Sequence, residues 1–366
     1  MNRENNRLKL SRRSLLGGVA AGGAALWVGA APSILRAQDA PLKVGVYGGY
    51  FKDSFDANIF PDFTAATGIA VESVAEPTGE AWLIQLQQAA QADEAPADVS
   101  MMATVGVIRG TNTALWQPLD EAKMPNVANV RPDLIHRDKD GKLVAVGAVT
   151  WFVTLVSNTE VFPDAPTSWA DMWDPKYADS LGLLALVSNS YLLEVTAKTF
   201  FGGVDYLSSD EKIMEVLAKV AELKPNVRLW YRDEAQFEQA LKTGEIPMGQ
   251  YYHDVTGLAI ADGFPVRSTF PKEGGIRDSG SWAITKASKM VDQGQVFIDY
   301  MSQPEIQAKM SRVVGTSPTV PRELTDLTDD EFNAVSSDID PVVPKYDLHA
   351  ERTDWLNQIW AEMQQS

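Results

Sequence analysis

From Leu42 onward the apolar positions alternate between two spacings. Lys43 to Tyr47 reads as a short strand, Gly48-Gly49 as a turn, and Ser54 to Thr67 as a helix with Phe55, Ile59, Phe60 and Phe63 on one side. Val71 to Val74 is a second strand, Gly79 to Gln91 a helix, Val99 to Met102 a third strand and Val105 to Leu115 another helix. Such alternation predicts a parallel sheet flanked by helices, with ligands bound beyond the carboxyl ends of its strands. The run Leu143 to Asn158 is β-rich and nearly uncharged, which predicts a buried strand pair or a strand crossing a hinge.

A second series of elements follows. In Pro166 to Leu184, Trp169, Met172 and Trp173 recur at helical spacing after a Thr167 or Ser168 cap, Asp174-Pro175 stops the helix, and Leu181 to Val187 has strand length. Ser188-Asn189-Ser190 caps the next helix, Tyr191 to Phe201; Asp210 to Leu223 and Glu234 to Lys242 are two more. Met248 to His253, Pro265 to Phe270 and Ser281 to Thr285 read as strands, and Val291 to Met301 as a helix. The tail, with Trp355, Ile359 and Trp360, predicts a helix docked on the outside.

The amino terminus changes the picture. Ser11-Arg12-Arg13-Ser14-Leu15-Leu16 precedes an uncharged, Ala- and Gly-rich stretch to Leu35 and resembles a twin-arginine export signal cut near Ala37. The expected destination is the periplasm, reached through the twin-arginine export machinery. Removing 1–37 takes away six basic residues and one acid, leaving 26 basic against 48 acidic and a net charge of about −22. That charge argues against nucleic acid or an anionic membrane as partner. There is no cysteine, hence no disulfide framework, thiolate nucleophile or lipid-modified cysteine. The 329 residues that remain exceed what one core fills, so two domains are expected.

The segment with Pro166, Thr167, Ser168, Trp169, Asp171, Trp173, Pro175 and Tyr177 resembles one found in the extracellular solute-binding proteins of bacterial ABC importers, in the spermidine/putrescine-binding branch. Tyr47-Gly48-Gly49, Phe63 to Ile69 and Pro271-Lys272-Glu273-Gly274-Gly275 extend the resemblance over most of the chain after about residue 41. It implies a two-lobed α/β fold of the type II periplasmic binding class, each lobe a mixed, mostly parallel sheet flanked by helices and joined by a hinge that closes on a ligand. On that fold lobe 1 takes residues 38–150 and about 281–322, and lobe 2 residues 151–280 and about 323–366. The implied role is that of a monomeric receptor delivering a small hydrophilic solute, a polyamine or other small amine or zwitterion, to an inner-membrane ABC permease.

The chemistry of the chain fits a receptor without cofactor or metal. His136, His253 and His349 lack metal-ligand spacing, and no Walker loop, G-x-G-x-x-G or G-x-S-x-G occurs. Two alternatives stay open: a carboxylate-pair hydrolase, and a ferric-ion binder using Tyr251-Tyr252 with Asp254 or Glu80. The positions expected to line the cleft are Tyr47 and Tyr50 from lobe 1, Trp151 at the crossing, and Asn189, Tyr191, Tyr251 and Asp278 from lobe 2. Together they offer flat aromatic walls with a few polar groups. Asp278 is the expected partner of an amine, and Arg277, if it turned inward, that of a carboxylate or phosphonate.

Overall fold

The computed structural model describes residues 40–77 and 80–365; the export signal expected over 1–37 lies outside the described residues. The described strands are β1 (Leu42–Tyr47), β2 (Val71–Glu76), β3 (Val99–Ala103), β4 (Ile135–Arg137), β5 (Leu143–Asn158), β6 (Leu181–Leu184), β7 (Val227–Tyr231), β8 (Met248–Tyr252), β9 (Val266–Thr269) and β10 (Ile276–Ile284). They join one mixed sheet in the order β2-β1-β3-β10-β5-β8-β6-β7, with β4 and β9 paired to β5. In the first half β1 runs parallel to β2 and β3. In the second, β6 runs parallel to β7 and β8. The antiparallel partners β5 and β10 lie between these triplets.

The uncharged run Leu143–Asn158 is one continuous strand, buried along nearly its whole length. Its early residues pair with β4 and β10, and its last with β8 and β9. Apolar side chains gather on either side of the point where these partners change. One cluster takes residues 42–149 and 282–320, with Phe55, Phe63, Trp282 and Phe297 at its centre. The other takes 153–276 and 342–363, with Trp169, Leu183, Tyr231, Phe237 and Trp360.

Local chemistry explains where the elements differ from their expected bounds. The helix expected over Ser54 to Thr67 is two, Tyr50–Asn58 and Phe60–Thr67, because Pro61 has no N–H for the Ala57 carbonyl and restarts the second helix in its first turn. The segment after Pro166 is not an α-helix but two short 3₁₀ turns, Trp169–Trp173 with a Ser168/Asp171 capping box and Pro175–Tyr177 capped by Asp174. Past β6 the chain makes a one-turn helix, Val187–Ser190, and enters the helix Leu192–Phe200 through Tyr191, whose φ of 46° is left-handed. A bulky aromatic there is strained, and surrounding contacts must hold it. The tail forms the expected helix, Thr353–Gln365, burying Leu356, Ile359, Trp360 and Met363 in the second cluster. Each such side chain contributes about 1.5 to 3 kcal/mol, and the Trp360 indole N–H also donates to the Ala185 carbonyl at 2.9 Å.

Candidate functional site

The carboxyl ends of the parallel strands and the paired strands between them converge on Asp278. On β10 it lies directly opposite Trp151 of β5, so the two side chains share a face. Two residues on, Gly280 leaves room for Tyr47 at the end of β1: a side-chain carbon on Gly280 would stand 3.0 Å from the Tyr47 hydroxyl. The Tyr47 ring meets Trp151 edge-on at 6.2 Å and Phe51 at 5.7 Å, and its hydroxyl is enclosed without a hydrogen-bond partner. Burial, then the charges of Glu76 and Asp278, hold the Tyr47 phenol well above its ordinary range. Glu76, buried beneath Gly45, is itself pushed up to about 8 by burial despite hydrogen bonds from Ser100 and Met101. At neutral pH most of it therefore carries a proton.

Asp278 is held from three directions. Its Oδ1 accepts from the Ser279 backbone N–H at 2.8 Å and the Tyr346 hydroxyl at 3.0 Å, and its Oδ2 from the Tyr191 hydroxyl at 2.9 Å. Burial raises its pKa, and these three bonds oppose the rise. The left-handed backbone at Tyr191 turns its ring toward Asp278 and against His349, centroids 5.4 Å apart. Behind that ring lies a fully buried ion pair, His349 Nε2 to Glu194 Oε1 at 2.8 Å, with the Lys345 N–H donating to the same oxygen at 3.1 Å. Burial pushes Glu194 up, but the His349 charge and these bonds outweigh it and leave Glu194 low; burial pushes His349 down, and Glu194 leaves it raised.

The structure therefore brings Tyr47, Trp151, Tyr191 and Asp278 together. Asn189 is half-buried in the turn before Tyr191, its Oδ1 enclosed and without a partner. Tyr50 is 53% exposed at the start of its helix. Tyr251 is a core residue: it is 2% exposed, and its ring packs on Phe237 at 5.6 Å and Tyr231 at 6.4 Å. Gly182 and Gly249 explain this, since a side chain at either would run into Phe237, which settles on the sheet face that Tyr251 shares with Gly249. Its neighbour Tyr252 donates to Glu234 Oε1 at 3.0 Å. With Tyr251 buried in the core, and no metal-holding group of three His, Cys, Asp or Glu among the described residues, the ferric reading gains no support.

Sequence reasoning missed Tyr346 and the pairing of His349 with Glu194, both of which come from or reach the tail. It named Asp254 only as a metal ligand. Arg277 takes the other face of β10, opposite Phe152, where it pairs with Asp133. A separate groove of about 590 Å³ lies in the first half between Met124, Pro132 and Ile135; its charged residues Glu121 and Arg137 bond each other at 2.7 Å.

Known proteins match this chain over most of its length. The family model described as bacterial extracellular solute-binding protein matches residues 58–334. The chain is 24% identical to the spermidine/putrescine-binding periplasmic protein of Escherichia coli over 70% of its length and 72% of the relative's. It is 25% identical to a gamma-aminobutyric acid-binding protein of Pseudomonas aeruginosa, over 77% and 78%. The crystal structure of an ABC transporter substrate-binding protein from Bradyrhizobium japonicum superposes with a TM-score of 0.76 at 22% identity, covering 89% of this chain and 99% of that one. Among the described residues no helix is long and apolar enough to cross a membrane. The fold is that of the substrate-binding proteins of ABC transporters, and the chain belongs to the family of bacterial extracellular solute-binding proteins.

Proposed function

We propose that this protein is the monomeric periplasmic receptor of an ABC importer and captures a small solute bearing an aliphatic ammonium group, which it hands to an inner-membrane permease without a catalytic step. The observation that carries this reading is the junction itself. Aromatic rings surround carboxylates there, and no Lys or Arg among the described residues pairs with Asp278 or Asp254. Such a site attracts a cation through ring faces and charge-assisted hydrogen bonds. The E. coli and P. aeruginosa relatives are named for ligands that all carry such an ammonium. A cationic amine suits the site better than a zwitterion, because Arg277, the residue expected to meet a ligand carboxylate, is engaged with Asp133 on the opposite face.

The lobes of this reading are 38–150 with about 281–322, and 151–280 with about 323–366; the two apolar clusters, which exchange chain near Val149 and Ile276, support that division. Export follows the twin-arginine route with cleavage near Ala37. Replacing Arg12 and Arg13 with Lys is expected to strand the precursor in the cytoplasm, and undiminished periplasmic recovery would refute the route. Ligand identity is tested by a thermal-shift screen over polyamines, amino acids, quaternary amines and phosphonates. At a hundredfold its Kd a ligand adds about 2.7 kcal/mol; a melting point that no amine moves refutes the amine reading.

A further inference from the structure

Tyr252 ends β8 at the junction, and three carboxylates act on its phenol: Glu234, which accepts its hydrogen bond, then Asp278 and Asp254. All three have donors, but they are not equally served. Glu234 takes the Tyr252 hydroxyl, and Asp278 takes two tyrosine hydroxyls and a backbone N–H. Asp254 differs. It stands in the first turn of the helix His253–Ala261, where its own N–H and that of Val255 serve the carboxylate, yet one oxygen, Oδ1, is enclosed and accepts no hydrogen bond. No Lys or Arg among the described residues pairs with it. Its position at the helix start favours a negative charge but supplies nothing to that oxygen.

Asp254 also lies where the halves meet. The helix Pro304–Val313 packs in the first cluster, and the chain after it turns through Gly315 at φ +82°; a side-chain carbon on Gly315 would stand 3.9 Å from Asp254 Cβ. Ala259, on the helix of Asp254, packs in the second cluster. A carboxylate oxygen shut away from water without a donor is costly to hold unless a bound group supplies one. Resting on the amine reading above, we propose that Asp254 is the specificity-determining residue that receives the ligand's ammonium group, while Asp278 braces Tyr191 and Tyr346 around it. Burial raises the Asp254 carboxyl to about 6, so it is charged at neutral pH and available to a cation. One group closing against Asp254 from the second half and the Gly315 loop from the first would link capture to lobe closure.

The test uses the processed periplasmic protein, wild type and Asp254→Asn, with Asp278→Asn alongside, titrated calorimetrically with putrescine, agmatine and 4-aminobutyrate and melted without ligand. The expected result is that Asp254→Asn raises or preserves the ligand-free Tm and weakens the best amine at least tenfold, whereas Asp278→Asn lowers the ligand-free Tm. A purely structural carboxylate at 254 would show the reverse, a lowered Tm with affinity kept. Amine affinity within twofold of wild type in Asp254→Asn overturns the assignment and leaves the amine reading standing. Wild-type protein that binds none of the three amines overturns both. Asp254→Ser gives the same readout should the amide fail to fold.

Discussion

On the second-half side of the junction, Asp278 takes three hydrogen bonds, Tyr191 and Tyr346 are donors to it, and Glu194 and His349 neutralise each other behind them. On the first-half side and at the seam, Tyr47 has an enclosed hydroxyl without a partner, Gly280 has no side chain to offer it one, and Asp254 keeps a bare oxygen. Both regions are aromatic and acidic, so composition does not separate them. Saturation does. A carboxylate that already holds its donors fixes neighbours in place; one that lacks them has affinity to spare for a solute.

The largest effect should come from the buried ion pair behind Asp278. Glu194→Ala leaves His349 without its partner in a closed space and should cost about 3 to 5 kcal/mol of ligand-free stability, read by urea denaturation. The pH dependence carries a sign. His349 lies above its ordinary 6.5, so its share is complete below that value and is lost as pH rises through the raised one. Glu194 lies below its ordinary 4.5, so its share is complete above that value and is lost as pH falls. The gap between wild type and Glu194→Ala should therefore be widest in the mildly acidic range and narrow on both sides; a gap independent of pH would show that the pair is not ionised.

Next in size, Asp278→Ala should destabilise the ligand-free protein by about 1 to 3 kcal/mol, because two tyrosine hydroxyls lose their acceptor. An unchanged melting point would place Asp278 on the unsaturated side of the comparison. The smallest effect should be Trp151→Ala, which removes a half-buried ring opposite Asp278 and lowers amine affinity by about 0.5 to 2 kcal/mol. Calorimetry that finds affinity unchanged would leave Trp151 as packing for Tyr47 alone.

The parts of the fold that could be read from sequence are those with a local period. The β1, β2 and β3 strands, the long run of β5 and the tail helix follow from spacing and length. Tyr47, Trp151, Tyr191 and Asp278 were legible as strand ends, crossings and turns. Tyr346 and His349 were not, because they meet Asp278 and Glu194 across 68 and 155 residues, and a contact at that separation leaves no pattern in either segment. Tyr251 was misplaced because strand parity says that only one of two adjacent tyrosines can face a given side, and the deciding residue, Phe237, sits on a separate helix. The motifs that carry the family resemblance are scaffolding. Ser168 donates to Glu273 at 2.6 Å, and the Trp169 indole donates to Gly274 at 2.8 Å, so two segments a hundred residues apart are one buckle on the second half.

The single strand Leu143–Asn158 has a consequence for how the molecule comes apart. Its first residues lie within one apolar cluster and its last within the other, and it is hydrogen-bonded to partners on both sides along the way. Neither cluster can melt without stripping the shared strand of pairing on which the other depends. Two cores of this size would ordinarily unfold in two steps, yet here heat should reveal one cooperative transition. Either half expressed alone would expose the edge that the strand now covers and would be prone to associate through it.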